Sequence, residues 1–380
     1  MTVPPQNSSD LVVVINGNKL DLIDRRSLDC LQFYLPERFL QVDISELEHS
    51  GLIEWLAAEL ADIGLDLASD SIRSRCSTFR VTTGQDYYRV TWEITERCNF
   101  RCVHCYLDKK RCSGLDMEKR LRVLDKLEGL GCVALQLTGG EALADPHFES
   151  TYRAAWKKGM LISVMTNGQR LSHWLGLFRD MPPHLIRISL YGASASSFAA
   201  MTGAPRSAFK DVLDGLEGAQ ALGIRLRVAI IVGKLNEHEA TAMEAMMLQM
   251  GVEYHVYSHF SPTLGGNHRP TIHSSGEKRK PIVFGGEKGC SGGKRALHVH
   301  VNGKIGPCKL LPHVSINLLS EDVGNLKRIS CHSGTRPATP FCATCESSKQ
   351  CMTCAPVLSL YKKSGSIPER ICRRLVSNSG

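Results

Sequence analysis

Between residues 88 and 257, short apolar runs of five to seven residues alternate with segments whose apolar positions recur every three to four residues. The short runs read as strands and the periodic segments as helices. Strands are predicted at 90–95, 133–137, 161–165, 185–190, 226–232 and 252–257, and helices at 117–130, 147–158, 171–179, 209–222 and 237–250. Repeated βα units of this length predict an α/β fold, a parallel sheet with its helices outside. Six strands rather than eight predict a partial, open (β/α)6 barrel of TIM type, in which ligands collect at the C-terminal ends of the strands.

The flanks follow other patterns. In residues 1–87, apolar runs at 11–15 and 20–23 bracket Asn16-Gly17-Asn18, which predicts a hairpin. A helix is predicted over 45–63, stopped by Gly64, with Leu52, Leu56 and Leu60 on one face. The result is a small α+β domain of winged-helix-like type. From 258 to 289 the pattern dissolves into Pro, Gly, Ser, His and Lys, which reads as a linker. Residues 290–380 show little periodicity and many cysteines, the mark of a small domain held by metal rather than by an apolar core.

Composition narrows the class. The chain is 43% apolar and 22% charged, and no apolar run reaches bilayer length, so no membrane partner is expected. The first residues lack the basic and apolar regions of a signal peptide, which predicts a cytoplasmic protein. Fifteen cysteines in a reducing compartment read as metal ligands rather than disulfides. Residues 1–87 carry 7 Lys and Arg against 14 Asp and Glu, and the remainder 39 against 24. The basic part is either a solvated surface or an attractor for an acidic peptide or cofactor phosphates. No basic stripe interleaved with aromatics points to nucleic acid.

The chemistry begins at the first strand end. Cys98, Cys102 and Cys105 follow it with C-x3-C-x2-C spacing, and Tyr106 comes directly after. A zinc site wants four ligands, usually in paired C-x2-C units. Three thiolates on one loop instead suit three irons of a 4Fe–4S cubane, with the fourth iron left open. The second strand runs into Gly139, Gly140 and Glu141, where small residues admit close backbone approach and a carboxylate can hold an ammonium. The third ends in Thr166-Asn167-Gly168 and the fourth in Ser189-Leu190-Tyr191-Gly192.

These strand-end motifs resemble those of the radical S-adenosylmethionine (radical SAM) enzymes. The resemblance implies that Cys98, Cys102 and Cys105 hold the SAM-binding 4Fe–4S cluster. It also implies that Gly139, Gly140 and Glu141 hold the SAM amino group, that Ser189 contacts the ribose, that Asn167 belongs to the third-strand motif, and that Tyr106 packs beside the nucleoside. Toward the C-terminus, Cys290, Gly303 with Cys308, Cys342, Cys345, Cys351, Cys354 and Cys372 resemble the SPASM extension, although Cys351 and Cys354 stand two residues apart rather than three. Taken alone, C-x2-C-x5-C-x2-C fits a pair of zinc ribbons as well. The SPASM resemblance implies two auxiliary 4Fe–4S clusters, one on Cys342, Cys345, Cys351 and Cys372. The other rests on Cys290, Cys308 and Cys354 and is one ligand short, which Cys331 or substrate would complete.

The implied organisation is an N-terminal domain at 1–87, a radical SAM core at 88–257, a linker at 258–289 and a SPASM-like domain at 290–380. The implied activity is reductive SAM cleavage followed by hydrogen abstraction from a precursor peptide or protein, as in maturases of ribosomally made peptides, with flavodoxin or ferredoxin as reductant. Residues 1–87 would recognise a leader peptide or simply cap the core. Alternatives are a haem d1-type tetrapyrrole enzyme, an anaerobic sulfatase maturase, and a non-catalytic Fe–S carrier. No catalytic acid or base is assigned.

Overall fold

A computed structural model describes four N-terminal strands (11–16, 19–24, 30–34 and 76–82) and residues 89–107, 110, 112–132, 134–265, 270–274, 292–293, 296–311, 314–321 and 355–364. The predicted hairpin is β1 (Leu11–Asn16) and β2 (Lys19–Asp24), antiparallel with Ile15 opposite Leu20. Two strands absent from the sequence reading flank it: β3 (Cys30–Tyr34) on β2, and β4 (Cys76–Thr82), parallel to β1. The order β3-β2-β1-β4 covers both edges of the hairpin. The helix expected over 45–63 lies outside the described residues.

Six parallel strands form the core of a second sheet: β5 (Arg89–Thr95), β6 (Ala134–Gly139), β7 (Leu161–Thr166), β8 (Leu185–Leu190), β9 (Leu226–Ile231) and β10 (Glu253–Tyr257). Each lies within two residues of its predicted bounds. The helices are α1 (Met117–Gly129), α2 (Phe148–Lys157), α3 (Leu171–Asp180), α4 (Ala195–Thr202), α5 (Ser207–Ala221) and α6 (Ala240–Gln249), with α7 (Ala355–Lys363) nearer the C-terminus. This is the expected α/β fold, a parallel sheet with its helices outside. α4 is a departure from the sequence reading. Its run ASSFAAMT is almost uniformly small or apolar, so no helical period marks it; capping by Ser194 and Gly203 does.

Strand faces explain the layout. On β5, Val90, Trp92 and Ile94 are buried, and on β6 Leu135 and Leu137. Alternate positions, such as Gln136, Thr138, Arg187 and Ser189, are polar and half-buried. Parallel sheets covered on both faces read as continuous apolar runs. The alternation here means that helices cover the outer face and a polar chamber lies on the inner one.

The sheet does not stop at six strands. β11 (Ala296–Val299) pairs parallel to β5, followed antiparallel by β12 (Lys304–Gly306) and β13 (Ile316–Asn317), giving nine strands. These three come from the stretch read as nearly aperiodic. Behind the β5 end, the fully buried Arg120 uses all five donors: Nε to Leu115 O, Nη1 to Asp145 Oδ1 and Thr151 Oγ1, and Nη2 to Asp145 Oδ2 and Ile94 O. This clamp ties α1, α2 and the β6 end to the segment feeding the cysteine loop. Among the described residues, no helix is long and apolar enough to cross a membrane.

Candidate active site

A cavity of about 460 Å³ opens at the C-terminal ends of β5–β8. Cys98, Cys102, Cys105, Tyr106, Gly139, Gly140, Glu141, Asn167 and Ser189 all line it. The cysteine loop is pinned from two sides. Phe100 is buried edge-on against Phe198 of α4 at 5.8 Å, and the N–H groups of Arg101 and Val103 donate to Thr202 O and Met201 O at 2.8 and 3.1 Å. The helix that sequence periodicity missed therefore anchors the loop.

The three thiols are unbridged and half-buried. Burial pushes the Cys98 thiol up, and burial with the neighbouring Cys98 pushes Cys102 to about 12. Lys110, whose Nζ donates to Phe100 O at 2.7 Å, pulls the other way. Three adjacent buried thiolates need more positive charge than one lysine supplies, and iron is the kind of countercharge that deprotonates a coordinating thiol. The donor set thus fits a 4Fe–4S cluster.

Gly139 and Gly140 serve the loop as much as any ligand. Gly139 has φ +151, and a Cβ there would meet Thr95 O at 2.1 Å; on Gly140 it would meet Arg97 O and Glu96 O at 2.4 Å. The backbone groups Gly140 N and Glu141 N donate to Thr95 O and Arg97 O, both at 2.8 Å. The glycines let the two strand ends touch. Glu141 is buried. Its Oε1 accepts from Leu143 N and Thr166 Oγ1 (2.9 and 2.6 Å) and its Oε2 from Asn167 N (2.6 Å). Burial raises its pKa despite these bonds. Oε2 keeps acceptor capacity for an ammonium. Asn167 donates through Nδ2 to Asn99 Oδ1 at 2.8 Å, so its amide holds the cysteine loop.

Tyr106 lines the cavity and is held by two neighbours. Its hydroxyl donates to Glu93 Oε1 at 3.2 Å, and Lys309 Nζ lies 3.6 Å from its ring centroid. His104 packs between Tyr191 and Phe260 (5.2 and 4.8 Å), and burial lowers its pKa to about 4.

The sequence reading missed Glu93, His298 and Lys309 in the same cavity. Burial opposes ionisation of Glu93, but His298, Lys309 and Tyr106 hold its pKa below the usual carboxylate range. Burial lowers that of Lys309. The one carboxylate of the β5 strand was the available signal for Glu93; the His-Val-His alternation at 298–300 was that for His298.

Of the C-terminal cysteines, Cys308 is described: half-buried, its Sγ accepts from Leu310 N at 3.4 Å, one residue from Lys309. Cys290, Cys342, Cys345, Cys351, Cys354 and Cys372 lie outside the described residues, as does Cys331. Cys132 is buried in the core.

Residues 92–248 match the family model of the Radical SAM superfamily. Individual proteins similar to this chain diverge in what they do. Streptococcus suis SuiB, in a crystal structure bound to S-adenosylmethionine, superposes with a TM-score of 0.62 at 13% identity, covering 97% of this chain and 100% of that one. An anSMEcpe structure with bound AdoMet gives 0.50 at 13% identity, covering 77% and 98%. Among curated proteins, a probable GTP 3′,8-cyclase of Pyrobaculum aerophilum is 27% identical over 152 residues, 39% of this chain and 49% of that protein. An AdoMet-dependent heme synthase of Methanosarcina barkeri is 27% identical over 173 residues, 44% and 49%. The chain spans about half the length of these curated relatives.

Proposed function

We propose that this protein is a radical SAM enzyme that modifies a peptide or protein. One observation carries the first half: the cysteine triplet, the Gly139-Gly140-Glu141 turn, Asn167 and Ser189 come from four adjacent strand ends and line one cavity. Cys98, Cys102 and Cys105 would hold the cluster, and Glu141 Oε2 and the Ser189 hydroxyl would receive SAM. Held there, a 4Fe–4S cluster and SAM would supply one-electron reductive cleavage of SAM and hydrogen abstraction from unactivated carbon. The chain's part is positional. α4 and Asn167 fix the cysteine loop, and Glu141 braces the β6 and β7 ends.

The peptide half is supported by SuiB, which has been crystallised with its precursor peptide SuiA and matches 97% of this chain at a TM-score of 0.63. In this reading residues 1–87 receive a leader, residues 290–380 carry two auxiliary clusters, and flavodoxin or ferredoxin supplies electrons. The local likeness to a heme synthase favours a tetrapyrrole substrate as the second reading.

Anaerobic reconstitution with iron and sulfide, then dithionite and SAM, should yield 5′-deoxyadenosine by chromatography. Cys98→Ala should abolish it while auxiliary iron stays. Absence of SAM cleavage in the wild type would leave only the carrier reading. Co-incubation with peptides encoded beside the gene, against porphyrin precursors, separates the two substrate classes by mass spectrometry.

A further inference from the structure

The cavity wall opposite the cysteines holds a second donor set. β11 runs parallel to β5, with His298 opposite Thr91 and Val299 opposite Trp92. Carried on one step, that register sets His300 opposite Glu93. Alternate positions on a strand share a face. Trp92, Leu297 and Val299 go to the core at 1%, 2% and 0% exposure, which turns Glu93, His298 and His300 to the inner side. One ligand atom from each lies within 4.8 Å of the other two.

Two further facts argue against an ordinary hydrogen-bonded cluster. His298 and Glu93 are 6% and 7% exposed. The Nε2 atoms of His298 and His300 are buried and make no hydrogen bond among the described residues. Glu93 Oε2 stands 3.3 Å from His298 Nε2 without hydrogen-bond alignment. Zinc bonds of about 2.0–2.2 Å place tetrahedral ligand atoms roughly 3.4 Å apart, so that pair already has ligand spacing. Tyr106 occupies Glu93 Oε1 and leaves Oε2 facing the imidazoles, as an outer-shell partner does. Lys309 answers the charge of Glu93 but leaves His300 Nε2 with no hydrogen bond among the described residues and His298 Nε2 with only its unaligned approach to Glu93.

We propose that Glu93, His298 and His300 form a mononuclear site for a divalent first-row cation, zinc or ferrous iron, in the wall of the radical SAM cavity. Two imidazoles and a carboxylate are the donor set of open zinc and non-haem iron centres. Three protein ligands leave positions for an outside oxygen. Glu93 and His298 line the chamber that the cysteines line. The ion therefore takes a carboxylate or carbonyl oxygen of the substrate and fixes it inside that chamber.

Zinc is the probe, because iron also fills clusters. The reconstituted full chain is equilibrated with zinc chloride, desalted and assayed for metals. The wild type should hold about one zinc more than His298→Ala/His300→Ala, with equal iron in both. Zinc-edge X-ray absorption should show imidazole and oxygen scatterers without sulfur. Equal zinc in both proteins, or a sulfur-only shell, would overturn the site and leave Glu93 and His298 as a buried ion pair. Should the double variant lose iron, and so its fold, Glu93→Gln decides by titration: zinc affinity should fall ~10-fold or more, and unchanged affinity overturns the proposal. Neither readout depends on SAM cleavage.

Discussion

At the scale of single residues, the positions read as cofactor contacts also hold the protein to itself. Gly140 shows it most sharply. A methyl there would sit 2.4 Å from two backbone carbonyl oxygens, Arg97 O and Glu96 O, and backbone cannot swing aside as a flexible side chain does. Gly140→Ala must push the cysteine loop away from the β6 end. Overpacking of this kind costs about 1–3 kcal/mol, which the fold survives, while the cluster needs its thiols in place. The expected result is a folded protein by circular dichroism that lacks about four irons and makes no 5′-deoxyadenosine. Full iron with normal cleavage would mean that the two strand ends tolerate separation. Glu141 and Asn167 likewise hold neighbouring segments together. Sequence suggests that a Gly-Gly-Glu turn meets a ligand; that its carboxylate also braces Thr166 and Asn167 depends on which strand lies beside it, and no spacing along the chain encodes that.

At the scale of elements, α4 and its connections decide how firmly the loop is held. The turn before α4 is fastened by Glu239, whose carboxylate accepts from Ala193 N at 2.7 Å, Ser194 N at 3.1 Å and Ser194 Oγ at 2.6 Å. Burial would raise its pKa, but these donors together hold it below the ordinary carboxylate value. A carboxylate whose folded pKa lies below its unfolded one stabilises the fold above the unfolded value, about 4.3, and that contribution disappears as pH falls through the folded pKa. Thermal unfolding midpoints should therefore drop between pH 5 and pH 3 by more in the wild type than in Glu239→Gln; parallel pH profiles would remove Glu239 from the anchor. Element recognition from sequence divides along similar lines. The six strands β5–β10 were legible because each alternates with a periodic helix. β11–β13 were not, since strands of two to four residues hold too few positions to show a period. Glu93 was visible as a letter but not as a site, because its partner His298 stands about two hundred residues away on a strand with no signal of its own.

At the scale of the whole molecule, the cysteine-rich end joins the barrel at described contacts. β11 extends the sheet at the free edge of β5, and α7, which begins directly after Cys354, stacks Tyr361 on His259 beyond β10. Cys308 follows β12 and adjoins Lys309, whose side chain lines the cavity. A cluster on Cys308 would thus stand next to the chamber wall. The same placement separates it from SAM, whose expected partners lie at the β6–β8 ends. Cys308→Ala should then lower iron from about twelve to about eight per chain and leave 5′-deoxyadenosine formation within about twofold of wild type, the reciprocal of Cys98→Ala. Iron unchanged at about twelve would take Cys308 out of any cluster. Loss of SAM cleavage together with the iron would mean that the two ends of the cavity fold as one metal-dependent unit.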